Sequence, residues 1–226
     1  MNDIVLITGA SSGIGYETSE LLTKEGYTVY GIGREFTKSV SFEKIVCDIT
    51  DTPKLLKILD DIKKVGDIKA LINNAAIAYY GTHEQLTPTQ ISQMVRTNLE
   101  APLILSSRLI NTLAKTKGII INISSVTAKS VNPHGCAYGA TKAALTSFSE
   151  SLFQEVRKRG IRVTTLHPDM TDTQLYRNAD FKASNEEGAY LTPKDIAETI
   201  LCVLKNENMV LTDITIKPQY HKIAKK

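Results

Sequence analysis

Hydrophobic residues in this chain come in short unbroken blocks, separated by longer stretches in which they return every three or four positions. Residues 4–7 form an apolar run that stops at Thr8-Gly9, the pattern of a strand buried on both faces. After a glycine-bearing turn, Ile14, Thr18, Leu21 and Leu22 fall on one helical face, and Gly26 stands where such a helix would end. A β-rich run follows at 27–32. The alternation continues with strands expected at 44–47, 70–72, 118–123, 161–166 and 210–216. Helices are expected at 55–65, 91–97, 99–114 and 137–159, and a last one opens at Thr192-Pro193, a capping residue followed by proline. Strands alternating with helices imply parallel pairing through right-handed crossovers and helices on both faces of one sheet. Ligands of such sheets bind beyond the carboxyl ends of the strands. The least patterned stretch, 174–190, mixes polar residues with scattered aromatics and reads as a mobile flap over a site.

Composition narrows the function classes. With 226 residues, 42% hydrophobic and 23% charged, the chain can bury one large core, and no linker or repeat divides it, so residues 1–226 read as a single domain. Net charge is only +3, and the basic residues are dispersed apart from the tail Lys222, Lys225 and Lys226, so a nucleic-acid partner is not expected. Cys47, Cys136 and Cys202 show neither CxxC nor Cys/His spacing, which argues against a disulfide framework or a metal site and fits a reducing cytoplasm. Met1, Asn2 and Asp3 lead directly into the first apolar run, with no basic region ahead of it. No apolar run approaches the roughly 18–20 residues that span a bilayer, so neither export nor a membrane association is expected.

The turn after the first strand, Thr8-Gly9-Ala10-Ser11-Ser12-Gly13-Ile14-Gly15, is the first candidate for chemistry. At a strand–helix junction a glycine loop lets backbone approach a pyrophosphate: Gly9 allows the tight turn, Gly13 the close approach, and Gly15 the packing of helix on sheet, while the helix N-terminus supplies N–H donors. Ser11, Ser12 and Ile14 belong to the same expected nucleotide contact. At the end of the second strand, Gly31-Ile32-Gly33-Arg34 lacks the carboxylate that would bind both ribose hydroxyls of NAD and repel a 2′-phosphate. Arg34 offers a guanidinium for that phosphate, so NADP(H) is expected in preference to NAD(H), with Glu35 as a neighbour that could turn inward and weaken the preference. Only about a dozen residues separate Arg34 from Asp48, too few for a full crossover helix, which predicts a loop and an open adenine end.

Tyr138-Gly139-Ala140-Thr141-Lys142 places a phenol and an ammonium four residues apart, on one helical face. A nearby cation favours phenolate and lowers a tyrosine pKa toward the operating range of a general acid or base.

The TGxxxGxG spacing and YxxxK together resemble the short-chain dehydrogenase/reductase family, and the resemblance runs over nearly the whole chain. It implies a three-layer, doubly wound Rossmann-like α/β fold with a mostly parallel seven-stranded sheet. Asn73-Asn74-Ala75-Ala76 resembles the family's NNAG, which implies that Asn74 and Ala75 line the cofactor crevice, with Ala76 in place of glycine. In Cys47-Asp48-Ile49, the resemblance implies that Asp48 and Ile49 lie at adenine; a carboxylate that caps the next turn is the other reading of Asp48. Ser125 matches the serine that holds the substrate oxygen, its spacing to Tyr138 favouring it over Ser124. Asn98 matches an asparagine that supports proton relay through the lysine, against the alternative of a polar residue that kinks a helix. Pro168-Asp169-Met170-Thr171-Asp172-Thr173 resembles the PGxxxT segment, which implies Pro168, Thr171 and Thr173 beside the nicotinamide, with Asp169 in place of glycine.

The resemblance further implies hydride exchange between a nicotinamide and a small carbonyl or alcohol substrate, with Tyr138 as general acid/base, Ser125 fixing the oxygen, and Lys142 orienting the cofactor. His134, Tyr176, Arg177 and Tyr190 are candidates for pocket lining. The ending Asp213-Ile214-Thr215-Ile216-Lys217-Pro218 is similar to the branch of serine and 3-hydroxy acid dehydrogenases, which favours a small hydroxy acid. Homodimers or homotetramers through the helices at 99–114 and 137–159 are expected. A non-catalytic NADP(H) sensor or scaffold is the competing reading, and an extended epimerase is disfavoured by the short chain.

Overall fold

The computed structural model describes residues 3–184, 186–220 and 222–225. Met1, Asn2, Asn185, His221 and Lys226 lie outside the described residues, and with them one position of the 174–190 stretch and the last lysine of the tail.

Among the described residues the strands are β1 (Ile4–Thr8), β2 (Thr28–Gly33), β3 (Glu43–Val46), β4 (Ile68–Asn73), β5 (Ile119–Ile123), β6 (Arg162–Pro168), β7 (Phe181–Ala183), β8 (Asp213–Ile216) and β9 (Ile223–Lys225). Seven of them form one sheet in the order β3-β2-β1-β4-β5-β6-β8. Every pairing in it is parallel. The main helices are α1 (Gly13–Lys24), α2 (Thr52–Val65), α3 (Pro88–Val95), α4 (Ala101–Thr116), α5 (Cys136–Val156) and α6 (Pro193–Lys205). The expected seven-stranded doubly wound sheet is therefore the observed one.

The apolar blocks explain the layers. β1 and β5 are buried at every position, as continuous apolar runs require in a sheet covered on both sides. On one face Leu6, Leu71 and Ile120 pack with Leu55 and Leu59 of α2, Leu105 and Leu109 of α4, and Leu152 of α5. On the other, Val5, Ile7, Ile72 and Ile121 pack with Leu22 of α1 and Ile196 and Ile200 of α6. Each such leucine or isoleucine removed from water contributes about 1.5–3 kcal/mol. Polar punctuation fixes the helix starts: Asp51 accepts from the Lys54 backbone N–H at α2, and Thr87/Gln90 and Thr192/Asp195 form reciprocal capping boxes ahead of Pro88 and Pro193.

Three features differ from the sequence expectation. The helices expected at 91–97 and 99–114 are joined by a π-helical turn, Arg96–Glu100, centred on the buried Asn98. The last sheet strand begins at Asp213, three residues later than the apolar pattern suggested. The 174–190 stretch is no plain loop: it holds a 3-10 helix at Gln174–Asn178 and then β7, which pairs antiparallel with β9 from the C-terminal segment. Between β2 and β3 the chain makes no helix, as its shortness predicted.

Strand order reverses between β1 and β4, and connections from these neighbours leave in opposite directions. The crevice above their carboxyl ends is the topological switch point of the sheet.

Candidate active site

A cleft of about 610 Å³ opens at that switch point. Its floor is the glycine turn after β1, and the local sequence dictates the shape. Gly9 has φ +71°, and a Cβ there would lie 2.8 Å from Ala75 Cα; a Cβ on Gly15 would lie 2.2 Å from the Gly9 carbonyl oxygen. Neither position admits a side chain. The turn is held from β4: Thr8 Oγ1 accepts from the backbone N–H of Asn74 and of Ala75, both at 3.1 Å, and the Asn74 amide donates to the Thr8 and Gly9 carbonyls at 2.9 and 3.3 Å. Ser12, at the N-cap of α1, makes no side-chain capping bond, so the first-turn N–H groups face the cleft without that partner. The bare glycine cradle under a helix N-terminus fits a pyrophosphate, and the residues present therefore fit a dinucleotide.

Nearly all the candidate residues line this one cleft: Gly9, Ser11, Ser12, Gly13 and Ile14 from the turn, Arg34 after β2, Asp48 and Ile49 after β3, Asn74 and Ala75 after β4, then Ser125, Tyr138, Lys142, Pro168, Thr171 and Thr173. Two do not. Gly15 lies beneath the turn as the close-packing residue, and Asn98 is fully buried behind the lining. Asn98 takes the backbone N–H of Ile77 on its oxygen, while its amide donates to the Ile77 carbonyl and, at 3.1 Å, to Thr141 Oγ1 next to Lys142. Asp48 caps its turn: Oδ1 accepts from the Thr50 N–H and hydroxyl at 2.9 and 2.8 Å, and the residue also lines the cleft. Burial raises its pKa, but the Thr50 bonds and the charges of Arg34 and Arg96 hold it below the usual carboxylate range. Glu35 does not line the cleft.

At the other end of the cleft, Ser125 follows β5 and Tyr138 and Lys142 stand one helical turn apart on α5; all three are buried. Ser125 Oγ accepts from the Thr127 N–H and hydroxyl at 3.2 and 3.0 Å. Lys142 Nζ donates to the Ile123 carbonyl at 2.7 Å and lies 5.8 Å from the Tyr138 ring centroid. The expected lowering of the tyrosine pKa by its lysine is not what this geometry gives. Burial dominates and raises Tyr138 well above the ordinary value, Tyr176 adds to the rise, and only a hydrogen bond with Ser125 opposes it. Burial likewise drives Lys142 down to about 7, so the lysine holds its proton weakly and is a poor source of field for the phenol.

The substitutions at the family's glycine positions are accommodated. Among the described residues, Lys117 and His134 are the non-glycine positions with positive φ, so Asp169 needs no left-handed backbone. Its carboxylate instead accepts from the Met170 N–H at 2.8 Å and its carbonyl from the Thr171 hydroxyl at 2.9 Å. Of the four pocket candidates, Tyr176 and Arg177 line the cleft and His134 and Tyr190 do not. Sequence reasoning missed Tyr79, Gln93 and Arg96 in the lining, and missed Tyr80, whose ring packs 6.0 Å from Tyr138, 6.1 Å from Tyr176 and 5.0 Å from Phe181. The adjacent Tyr79-Tyr80 after β4 was the available signal. From the 174–190 segment, Tyr176 and Phe181 thus form an aromatic lid with Tyr80.

Among the described residues no group of His, Cys, Asp or Glu could hold a metal ion, and no helix is long and apolar enough to cross a membrane.

Residues 3–183 match the short chain dehydrogenase family model. The chain is 37% identical over 222 residues to a serine 3-dehydrogenase of Agrobacterium fabrum, covering 90% of this chain and 88% of that protein. It is 30% identical over 240 residues to an NADP-dependent 3-hydroxy acid dehydrogenase of Schizosaccharomyces pombe, covering 96% and 92%. Among solved structures it is similar to ElxO with NADP bound, at 26% identity, a TM-score of 0.83 and coverage of 96% and 97%. An alcohol dehydrogenase of Thermococcus sibiricus shares the fold, with 22% identity, a TM-score of 0.88 and coverage of 98% and 99%.

Proposed function

Because this chain belongs to the short chain dehydrogenase family and is an oxidoreductase that interconverts a carbonyl and an alcohol, we propose that it acts on small 3-hydroxy acids or the matching carbonyl compounds, with NADP(H) preferred over NAD(H). The observation that carries the reading is the convergence of Ser125, Tyr138 and Lys142 at the end of a cleft whose other end is a glycine cradle. A sensor or scaffold has no use for this trio beside a nucleotide site, and catalysis is the favoured reading. We take residues 1–226 to act as one NAD(P)-binding domain.

When bound, the nicotinamide nucleotide supplies or accepts the hydride. Gly9, Ser11, Ser12, Gly13 and Ile14 would hold its pyrophosphate, Arg34 its 2′-phosphate, Asp48 and Ile49 its adenine, and Asn74, Ala75, Pro168, Thr171 and Thr173 its nicotinamide end. Ser125 Oγ accepts from Thr127 twice, so its one hydrogen is the bond it can offer, to Tyr138 in this structure and to the substrate oxygen when substrate enters. Tyr138 Oη gives or takes the proton at that oxygen. Burial keeps the phenol protonated at neutral pH, so in this resting geometry Tyr138 stands ready as an acid, the role carbonyl reduction requires. Lys142 would hold the ribose, and Asn98 ties the helical turn before α4 to Thr141, the residue before Lys142 on its helix. Arg177 lines the cleft, and we assign it to a substrate carboxylate.

The names of the two relatives and of the NADP-bound structure support this substrate class and cofactor. Free thiols at Cys47, Cys136 and Cys202 support a reducing cytoplasm. α4 and α5 are the faces we assign to a homodimer or homotetramer.

Fluorescence titration with NADPH and NADH tests the cofactor. Arg34→Ala should weaken NADPH about ten- to a hundredfold, the value of a charge-assisted phosphate contact, and leave NADH unchanged. Equal loss for both nucleotides, or no binding of either, refutes the reading. A panel of 3-hydroxy acids against simple alcohols then tests the substrate class, with turnover confined to the alcohols as the refuting result.

A further inference from the structure

Three residues outside the cleft lining, Lys129, His167 and Asp213, form a charged chain that ends on the backbone of Ser125. His167 sits on β6 with no exposed surface. Its Nδ1 lies 3.1 Å from the Ser125 carbonyl oxygen and its Nε2 lies 2.9 Å from Asp213 Oδ2. A carbonyl only accepts hydrogen bonds, and so does an ionised carboxylate. Asp213 is ionised: burial pushes its pKa up, but the Lys129 bond and the charges of His167 and Lys129 hold the carboxyl below the usual range. Both ring nitrogens therefore face acceptors, and both must carry hydrogen.

The chain also closes on the serine's own turn. Ser125 caps the single 3-10 turn Val126–Ala128, and Lys129 ends it. Lys129 Nζ reaches Asp213 Oδ1 at 2.5 Å and Thr215 Oγ1 at 3.3 Å. The turn is thus tied to β6 and β8 at its first residue by the imidazole and at its last by the ammonium, with one carboxylate joining the two. Of the other titratable groups on elements packed against β6, Tyr138 and Lys142 of α5 face the cleft, Cys136, Glu150 and Glu155 of α5 are exposed, and β5 has none. The imidazole is fully buried whereas the Asp213 carboxylate is 38% exposed, and an apolar side chain of similar volume would fill the His167 position with less desolvation penalty. What the pair adds is direction: it fixes the Ser125 carbonyl, and with it the backbone that aims the hydroxyl.

We propose that His167, doubly protonated and held by Asp213, is a positioning residue for Ser125. The inference rests on the reading of Ser125 as the residue that holds the substrate oxygen.

Two measurements on the full chain test it. In ¹⁵N-labelled protein at pH 7, the His167 ring, assigned by its loss in His167→Gln, should show both nitrogens protonated, and in Asp213→Asn one bare nitrogen. A bare nitrogen in the wild type overturns the proposal. In steady-state assays with NADP+ and 3-hydroxybutanoate or L-serine, His167→Leu should lower kcat about tenfold or more, the scale of a misplaced reacting group, with NADPH affinity within twofold of wild type. His167→Gln, which keeps one donor for the Ser125 carbonyl, should recover part of that loss. Unchanged kcat in His167→Leu, or an equal fall in NADPH affinity, overturns the positioning role. If Ser125→Ala itself turns over like wild type, the reading of Ser125 fails while the nitrogen spectrum still reports on His167 independently.

Discussion

The two ends of the cleft are made of different material. The nucleotide end is built from backbone: a turn of glycines that exclude side chains, a helix N-terminus, and an asparagine that pins the turn to the neighbouring strand. The turn and the asparagine that pins it come from the β1 and β4 ends, neighbours at the switch point of the sheet. The substrate end is built from side chains that meet from remote segments, with Tyr80 from the loop after β4, Tyr138 from α5, and Tyr176 and Phe181 from the lid after β6. Backbone geometry is rigid and tolerates little change, whereas side-chain walls can be rebuilt without disturbing the sheet. One fold can in this way keep a fixed cofactor and vary its substrate.

Tyr138→Phe gives the sharpest separation of the two ends. It removes the proton donor but no backbone contact, so kcat should fall about 10²- to 10⁴-fold, as for loss of a general acid, while NADPH binds as before. Retained turnover in a stopped-flow assay of NADPH oxidation would remove Tyr138 from the chemistry.

Lys142 sits on the seam, and its burial makes a pH-dependent prediction. Its pKa is depressed from the ordinary 10.5 to about 7, so between those values the unfolded chain binds more protons than the folded one. Stability should therefore rise with pH from about 7 to 10.5, and below 7 the full cost of the buried charge, at most ~5 kcal/mol, remains. Lys142→Met should lack this rise and melt higher than wild type at pH 6. Parallel melting curves for the two proteins across pH 6–10 would show that the ammonium is not buried as described.

The same contrast decides what was readable in the sequence. The alternation of strands and helices, the glycine turn and the spacing of Ser125, Tyr138 and Lys142 are local patterns, because each depends on residues near in sequence or on the apolar period of one element. The Asp48 turn and the missing helix before β3 were legible for the same reason. The aromatic lid was not: Tyr80 and Phe181 are about a hundred residues apart, and nothing in either segment announces the other. Nor was the sign of the Tyr138 shift, since i,i+4 spacing gives the proximity of a lysine but not the burial that outweighs it. The β7–β9 pair was hidden because two three-residue strands carry no periodicity.

Gly9→Ala and Phe181→Ala then compare the ends directly. Alanine at Gly9 must adopt φ near +71° with its Cβ 2.8 Å from Ala75 Cα. The left-handed backbone alone costs about 1–2 kcal/mol, so Tm should drop by roughly 2–8 °C, and NADPH affinity should fall at least tenfold as the turn shifts. No change in NADPH affinity would show that the turn does not cradle the nucleotide.

Phe181→Ala should have the smallest effect on function and tests whether the ends are separable at all. The ring meets Tyr80 edge-on at 5.0 Å and Tyr176 at 5.5 Å. Such pairs contribute about 0.5–1.5 kcal/mol each, and both lie in the lid rather than on the sheet. Removing the ring loosens Tyr80 and Tyr176 over Tyr138, which should raise KM for the carbonyl or alcohol substrate severalfold. Global Tm should move by no more than about 12 °C, since the two pairs together amount to about 1–3 kcal/mol in a domain of this size. NADPH affinity should not move, because no group on the glycine turn, β2 or β4 touches Phe181 through the aromatic contacts that hold the lid. An NADPH affinity that falls with the substrate KM would mean that the lid closes on the nucleotide as well, and the cleft would then have to be treated as one coupled unit.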